Sequence, residues 1–207
     1  MRKLGQIPLK SQPGSKWEYS VSVDVQGYLV EVLSGQKFSE FLEERIFEPL
    51  GMIDTSFHVP QEKLGRFAQM YGYSPEGELT AGEMFPDSDY TTAPAFEAGG
   101  AGLVSTATDY IRFSQMMLNG GELDGVRILA PLTVDLMHRD QTPKAMETSG
   151  LDQQGTAFGL DFAVIQDPVE AESYSTGEYY WGGAAGTWFW IDPVHDMFWI
   201  GMIQSQG

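Results

Sequence analysis

The most regular spacing of apolar residues lies between residues 24 and 34. Val25, Tyr28, Leu29, Val32 and Leu33 recur at i, i+3, i+4, i+7 and i+8 and share one helix face. The spacing predicts a helix from Asp24 to Ser34, with Gly35 just past its end. A second helix is predicted from Ser39, as N-cap, to about Phe47. Phe41, Leu42, Arg45 and Ile46 set its period and Pro49 stops it. Thr106 or Thr108 caps a third, Asp109 to Leu118, which ends at Asn119-Gly120-Gly121. Pro131 to His138 reads as a short fourth, with proline at its start.

In the last fifty residues the pattern changes to that of strands. Phe158–Ile165 alternates weakly and reads as one strand. Thr187–Ile191 and Met197–Ile203 are aromatic and β-branched, and Asp192-Pro193-Val194-His195-Asp196 between them has turn composition, which predicts a hairpin. Residues 1–18 and 139–156 read as polar loop. Residues 60–104 have no sustained period, yet are too long for a structureless loop, so they are expected to wrap the surface or line a cleft. The expected architecture is α+β in one domain, a mainly helical lobe with surface loops over about 15–156 and antiparallel strands over about 157–207.

Composition narrows the partners. The chain has 207 residues, 42% of them hydrophobic, which suffices for a core. Its net charge of −17 repels phosphate backbones and anionic lipid, so neither nucleic acid nor a membrane is an expected partner. With no cysteine, disulfides and thiolate zinc sites are excluded. No signal-peptide core follows Met1-Arg2-Lys3 and no stretch reaches membrane-span length, so a cytoplasmic location is the default expectation.

The candidate chemistry centres on Trp181-Gly182-Gly183-Ala184-Ala185-Gly186, which leads into the aromatic run Thr187–Ile191. Gly182 and Gly183 let a ligand approach the backbone of a strand edge, whose N–H groups can hold a carbonyl oxygen. The same small residues also suit plain packing. Tyr19, just before the first helix, can present its hydroxyl to a cleft, although a half-buried tyrosine with a local partner is the commoner arrangement. His58, His138 and His195 have no partners at metal-ligand spacing, and no metal or cofactor is implied. Asp87, Ser88 and Asp89 lack the rest of a calcium loop, and Gly100-Ala101-Gly102 is followed by Ser105 where a dinucleotide fingerprint needs glycine. There is no Gly-x-Ser-x-Gly elbow. Ser34-Gly35-Gln36-Lys37 matches Ser-x-x-Lys, but Gly35 breaks the helical turn that would bring amine to hydroxyl, so the match is read as accidental.

Taken together, Pro13-Gly14-Ser15-x-Trp17-x-Tyr19-Ser20, Asp24-Val25-x-Gly27 and Leu29-Val30-Glu31-Val32-x-Ser34-Gly35 resemble the tyrosine region of the serine β-lactamase and penicillin-binding-protein superfamily, most of all its β-lactamase-like (family VIII) carboxylesterases. Ile46-Phe47-x-Pro49-Leu50-Gly51-Met52-x-Asp54-Thr55-x-Phe57 is similar to a second landmark. Gly99-Gly100-x-Gly102-Leu103-x-Ser105-Thr106-x-x-Asp109-Tyr110-x-Arg112-Phe113 with Leu118-Asn119-Gly120-Gly121 is similar to a third. The landmarks keep the family's order over nearly the whole chain.

The resemblance implies that Tyr19 relays protons between nucleophile and leaving group. It also implies that Trp181-Gly182-Gly183 stands where lactamases carry Lys-Thr-Gly, and that Ala184 supplies one oxyanion-hole N–H. Val21 stands where lactamases have asparagine, and Trp181 replaces a lysine that pairs with a substrate carboxylate. Both changes favour neutral esters over β-lactams and peptides. The family's Ser-x-x-Lys precedes the tyrosine by more than the eighteen residues present, so the chain is expected to be a fragment, cut at both ends and inactive alone. The implied function is ester hydrolysis by an acyl-enzyme in the intact protein. The alternatives are a non-catalytic binding or scaffold module, or β-lactamase or D-Ala-D-Ala peptidase activity. A separate chain or segment supplying the missing strands and serine is a further expectation.

Overall fold

The computed structural model describes residues 1, 3–82, 89–146 and 154–205. Five antiparallel strands form a sheet in which every strand pairs with its sequence neighbour. These are β5 (Thr156–Phe158), β6 (Ala163–Ile165), β7 (Tyr179–Gly182), β8 (Thr187–Asp192) and β9 (Met197–Met202). Before them come α1 (Ser22–Ser34), α2 (Phe38–Leu42), α3 (Glu48–Leu50), the hairpin β1 (Tyr71–Tyr73) and β2 (Leu79–Ala81), α4 (Ala107–Leu118), the short pair β3 (Glu122–Leu123) and β4 (Val126–Arg127), and α5 (Pro131–Met137). The α+β class is as expected.

The two-residue period sorts the sheet. Phe189 and Ile191 of β8 point inward, and α4 packs on β8 and β9 so that buried Met116 and Met117 share one core with Phe47, Leu50, Tyr179 and Ile191. Each such side chain, fully buried, contributes about 1.5–3 kcal/mol. The other face carries exposed Trp188, Met197 and Trp199. The Trp188 and Trp199 rings are stacked at 6.2 Å and 7°. Gly201 pairs with Trp188, and a Cβ there would sit 2.4 Å from the indole, so the ring lies flat over the glycine.

A buried carboxylate fastens the helical lobe. Asp109, in the first turn of α4 and 2% exposed, accepts the Asp54 N–H at 2.7 Å and the Thr55 hydroxyl at 2.8 Å. Thr106 caps α4, its Oγ1 accepting the Asp109 N–H at 3.2 Å. Arg112 Nε donates to the Leu50 carbonyl while its Nη2 meets Asp124 at 2.6 Å. Asp54 itself faces Arg66 and Lys63, whose hydrogen bonds hold its carboxyl at about 2. The landmarks around residues 46–57 and 99–113 thus form one knot.

Four elements differ from expectation. The first helix does not bury its apolar stripe. Gly27 is its only buried residue, while Leu29, Val32 and Leu33 are exposed. It rests instead on a glycine crossing. A Cβ on Gly99 would lie 2.2 Å from the Val23 carbonyl oxygen, and Asp24 accepts the Gly100 N–H at 3.0 Å. The second helix is not capped by Ser39. Lys37 is the N-cap, and the free N–H groups of the first turn go to carboxylates, Phe38 to Glu31 and Ser39 to Glu97. Nor does Pro49 stop it. A wide π turn over Glu43–Phe47 precedes the proline, the helical path continues through Glu48–Leu50, and Gly51 ends it at φ 66°. Residues 158–165 form two strands rather than one. Gly159 passes so close to the end of α5 that a Cβ would lie 2.1 Å from the Met137 carbonyl oxygen, and Asp161 takes φ 63°, which reverses the chain.

Within residues 60–104 the described part is a 3-10 turn (Gln61–Arg66) and the β1–β2 hairpin, whose Tyr71 N–H donates to the Gln204 carbonyl at 2.9 Å beyond β9. Among the described residues, no helix is long and apolar enough to cross a membrane.

Removing the Asp109 carboxylate strands the part-buried Asp54 N–H and leaves the buried Thr55 hydroxyl only Ser105 Oγ, at 2.8 Å. Asp109→Ala should lower stability by about 2–4 kcal/mol in urea unfolding, and a loss below about 0.5 kcal/mol would show that the knot does not depend on it. Gly99→Ala should cost about 1–3 kcal/mol, because α1 must move off the 99–100 loop to admit the methyl group. An unchanged midpoint would mean that the crossing is not tight in solution.

Candidate active site

Trp181 lies on β7 opposite Phe189, on the inner face of the sheet. Gly183, Ala184, Ala185 and Gly186 form the turn from β7 to β8, and the aromatic run from Thr187 is the strand expected from the sequence. The Gly183 N–H is used within the hairpin, donating to the Thr187 carbonyl at 2.6 Å, and Gly186 closes the turn at φ 76°. A Cβ on Gly183 would lie 2.3 Å from Thr187 Oγ1, so the turn itself demands glycine. Gly182 has open space around it. Ala184 is exposed, and its N–H has no partner among the described residues. The turn therefore leaves the N–H groups of Ala184 and Ala185 without an acceptor among the described residues, and of the two residues Ala184 is the exposed one.

Tyr19 precedes α1 and is 70% exposed. Its ring stacks on the Trp181 indole at 5.8 Å and 18°, which brings two of the sequence-derived candidates into contact. Two further rings complete the group. Trp17 meets Phe158 of β5 edge-on at 5.1 Å, and Phe158 meets Trp181 edge-on at 5.5 Å. Lys10 and Lys16 approach the same segment and pair with Glu18 at 3.0 and 3.8 Å. Trp17 stands inside the tyrosine motif and was legible there, whereas Phe158 gave no signal beyond a strand pattern. Val21, in the asparagine position, is exposed at the start of α1.

The remaining candidates lie elsewhere. Ser34 Oγ donates to the Val30 carbonyl at 2.6 Å, Gly35 adopts φ 73°, and Lys37 belongs to the next helix, so the hydroxyl and amine of Ser34–Lys37 are not brought together. His58 lies in an irregular segment. His138 stacks on Tyr179 at 4.9 Å and 7°, and burial lowers its pKa. His195 Nδ1 lies 2.7 Å from Asp192, which also accepts the Ser175 hydroxyl. Burial pushes the Asp192 pKa up, but these hydrogen bonds outweigh it and hold the group low. Ser175 and His195 both address the carboxylate rather than each other, so they do not form a serine–imidazole pair. Gly100 is held by Asp24, and Gly102 turns at φ 96° beside Phe57. Asp87 and Ser88 lie outside the described residues, and Asp89 accepts the Thr91 N–H. Among the described residues no group of three or more His, Asp or Glu side chains is placed to hold a metal.

Comparisons with known proteins identify the family and the fold. The family model described as Beta-lactamase matches residues 1–207. Protein Rv1367c of Mycobacterium tuberculosis is 36% identical over 209 residues, covering 97% of this chain and 52% of that protein. Esterase EstB of Burkholderia gladioli is 31% identical over 207 residues, covering 91% and 50%. Among solved structures, EstCE1, a hydrolase with promiscuous acyltransferase activity, superimposes with a TM-score of 0.84 at 25% identity, covering 99% of this chain and 55% of that one. Simvastatin synthase (LovD) from Aspergillus terreus gives 0.81 at 25% identity, with the same coverage. The chain spans about half the length of the curated relatives it matches. On the match of the family model to its whole length, and with the sheet and helical lobe of the β-lactamase/transpeptidase-like fold, the chain belongs to the Beta-lactamase family.

Proposed function

We propose that this chain forms the tyrosine and oxyanion side of a serine hydrolase that cleaves neutral carboxylic esters through an acyl-enzyme. The observation that carries the reading is the Tyr19–Trp181 stack beside a turn whose Ala184 N–H is unused. An indole replaces the ammonium that would attract a substrate carboxylate, which suits an uncharged acyl or alkoxy group. The relatives named as esterases point the same way.

In the proposed reaction a serine hydroxyl adds to the ester carbonyl carbon, and the carbonyl oxygen takes the charge. Ala184 N–H and the N–H of the nucleophilic serine hold that oxygen. Tyr19 passes the serine proton to the departing alkoxide as the carbon–oxygen bond breaks. Water then adds to the acyl-enzyme and repeats the transfer in reverse, which frees the acid and the serine.

The nucleophile is assigned to a segment or chain outside these 207 residues. Two observations support this. The accessible surface is 13269 Å², whereas a compact monomer of this mass exposes about 9,600 Å². The surplus of about 3,700 Å² exceeds the roughly 1,000–2,500 Å² that one partner contributes to an obligate interface. The unfilled surface includes the apolar stripe of α1, the Trp188–Trp199 face and the outer edge of β9, beyond which only Tyr71 pairs among the described residues.

A fluorophosphonate probe should label no serine of the 207-residue chain stoichiometrically, and the chain should hydrolyse no nitrophenyl ester above buffer. Stoichiometric labelling at any of its own serines would overturn the assignment of the nucleophile. Mixing the chain with the family's upstream segment carrying Ser-x-x-Lys should give a single 1:1 species by light scattering and labelling on the added serine. Two unmixed species would refute the completion of the site from outside. Turnover of a chromogenic β-lactam rather than an ester by the joined protein would displace the esterase reading.

A further inference from the structure

Residues 17–20 lie in neither helix nor strand, and the nearest β pairing is the bridge at Lys16, three residues before Tyr19. Its ring is held by other rings. Trp17 approaches it at 6.4 Å and Trp181 stacks on it at 5.8 Å, and both of these indoles touch one residue, Phe158.

Phe158 is itself firmly placed. It pairs with Ala163 across the β5–β6 hairpin. On its other side its N–H donates to Thr142 Oγ1 at 3.2 Å and its carbonyl accepts the Gln141 N–H at 2.9 Å. Its ring meets Trp17 at 61° and Trp181 at 78°, edge to face on both sides, where the positive ring edge meets the negative face of the neighbour. A side chain fixed by the sheet thus supports one indole in the loop and one on the strand, and Tyr19 is in contact with both.

We propose that Phe158 is the positioning residue of the candidate site: by bracing Trp17 and Trp181 it sets where the Tyr19 hydroxyl stands relative to the Ala184 N–H. Phe158 does not touch the reacting atoms. It acts by removing freedom from a tyrosine that lies between the Lys16 bridge and α1, and a displacement of about 1 Å at such a group costs about 100-fold in rate. This inference rests on the role proposed above for Tyr19.

The test uses Phe158→Ala, Phe158→Leu and Phe158→Tyr. Leucine keeps apolar bulk without a ring edge, and tyrosine keeps the ring. In the 207-residue chain with labelled tyrosine, the Tyr19 ring protons, assigned with Tyr19→Phe, should show a ring-current shift from Trp181. That shift should vanish in Phe158→Ala and Phe158→Leu, persist in Phe158→Tyr, and do so without change in the far-ultraviolet spectrum. A Tyr19 shift unaltered in Phe158→Leu overturns the proposal. In the joined, ester-hydrolysing protein Phe158→Ala should lower kcat by about 10- to 100-fold with KM nearly unchanged. It should add no loss in a Tyr19→Phe background, and Phe158→Tyr should recover the rate. A full additional loss in that background also overturns it. If the joined protein hydrolyses no ester, the functional reading fails, and the ring-current measurement alone decides the positioning.

Discussion

The helical lobe depends on one buried acid. Asp109 sits in the first turn of α4 and takes up the Asp54 N–H and the Thr55 hydroxyl, two donors that the 52–57 turn cannot satisfy itself. A carboxylate buried to this degree is tolerated only when its oxygens are occupied, and the turn is ordered only while they are. The consequence reaches the sheet. α4 is the helix that lies on β8 and β9, so a constraint applied at its N-terminus also sets Met116 and Met117 against the strands that carry the candidate turn.

The candidate site is built in the opposite way, with rings in place of charges. Trp17, Tyr19, Phe158 and Trp181 meet in edge and stacked contacts, and the nearby lysines are paired with Glu18. Two lysines share one glutamate beside the rings, a local charge of +1 in a chain whose net charge is −17. On the proposed reading, the overall field disfavours an anionic substrate and the Trp181 indole stands where an ammonium would attract one.

What was legible in the sequence was what local chemistry decides. Thr106, the period of 109–118 and the glycines after it gave α4 closely, and the turn residues at 192–196 gave the β8–β9 hairpin. The failures have a common cause in long-range contact. The α1 stripe reads as core, yet the helix is seated by Gly27 against Gly99, far along the chain. Phe158–Ile165 reads as one strand because nothing local reveals that Gly159 must pass the end of α5. Ser39 reads as a cap because its acceptor, Glu97, lies far along the chain. In the site the motif residues were visible by resemblance, but their geometry was not. Gly182 and Gly183 look equivalent in sequence, while only Gly183 is demanded by the turn, and the bracing by Phe158 depends on a fold that no spacing encodes.

The flat indole over Gly201 has a consequence for how this sheet can change over generations. Trp188 occupies the volume in which any side chain at 201 would begin. The two positions are therefore coupled: a larger residue at 201 displaces the exposed Trp188 ring, and removing that ring uncovers a bare glycine in the middle of a strand pair.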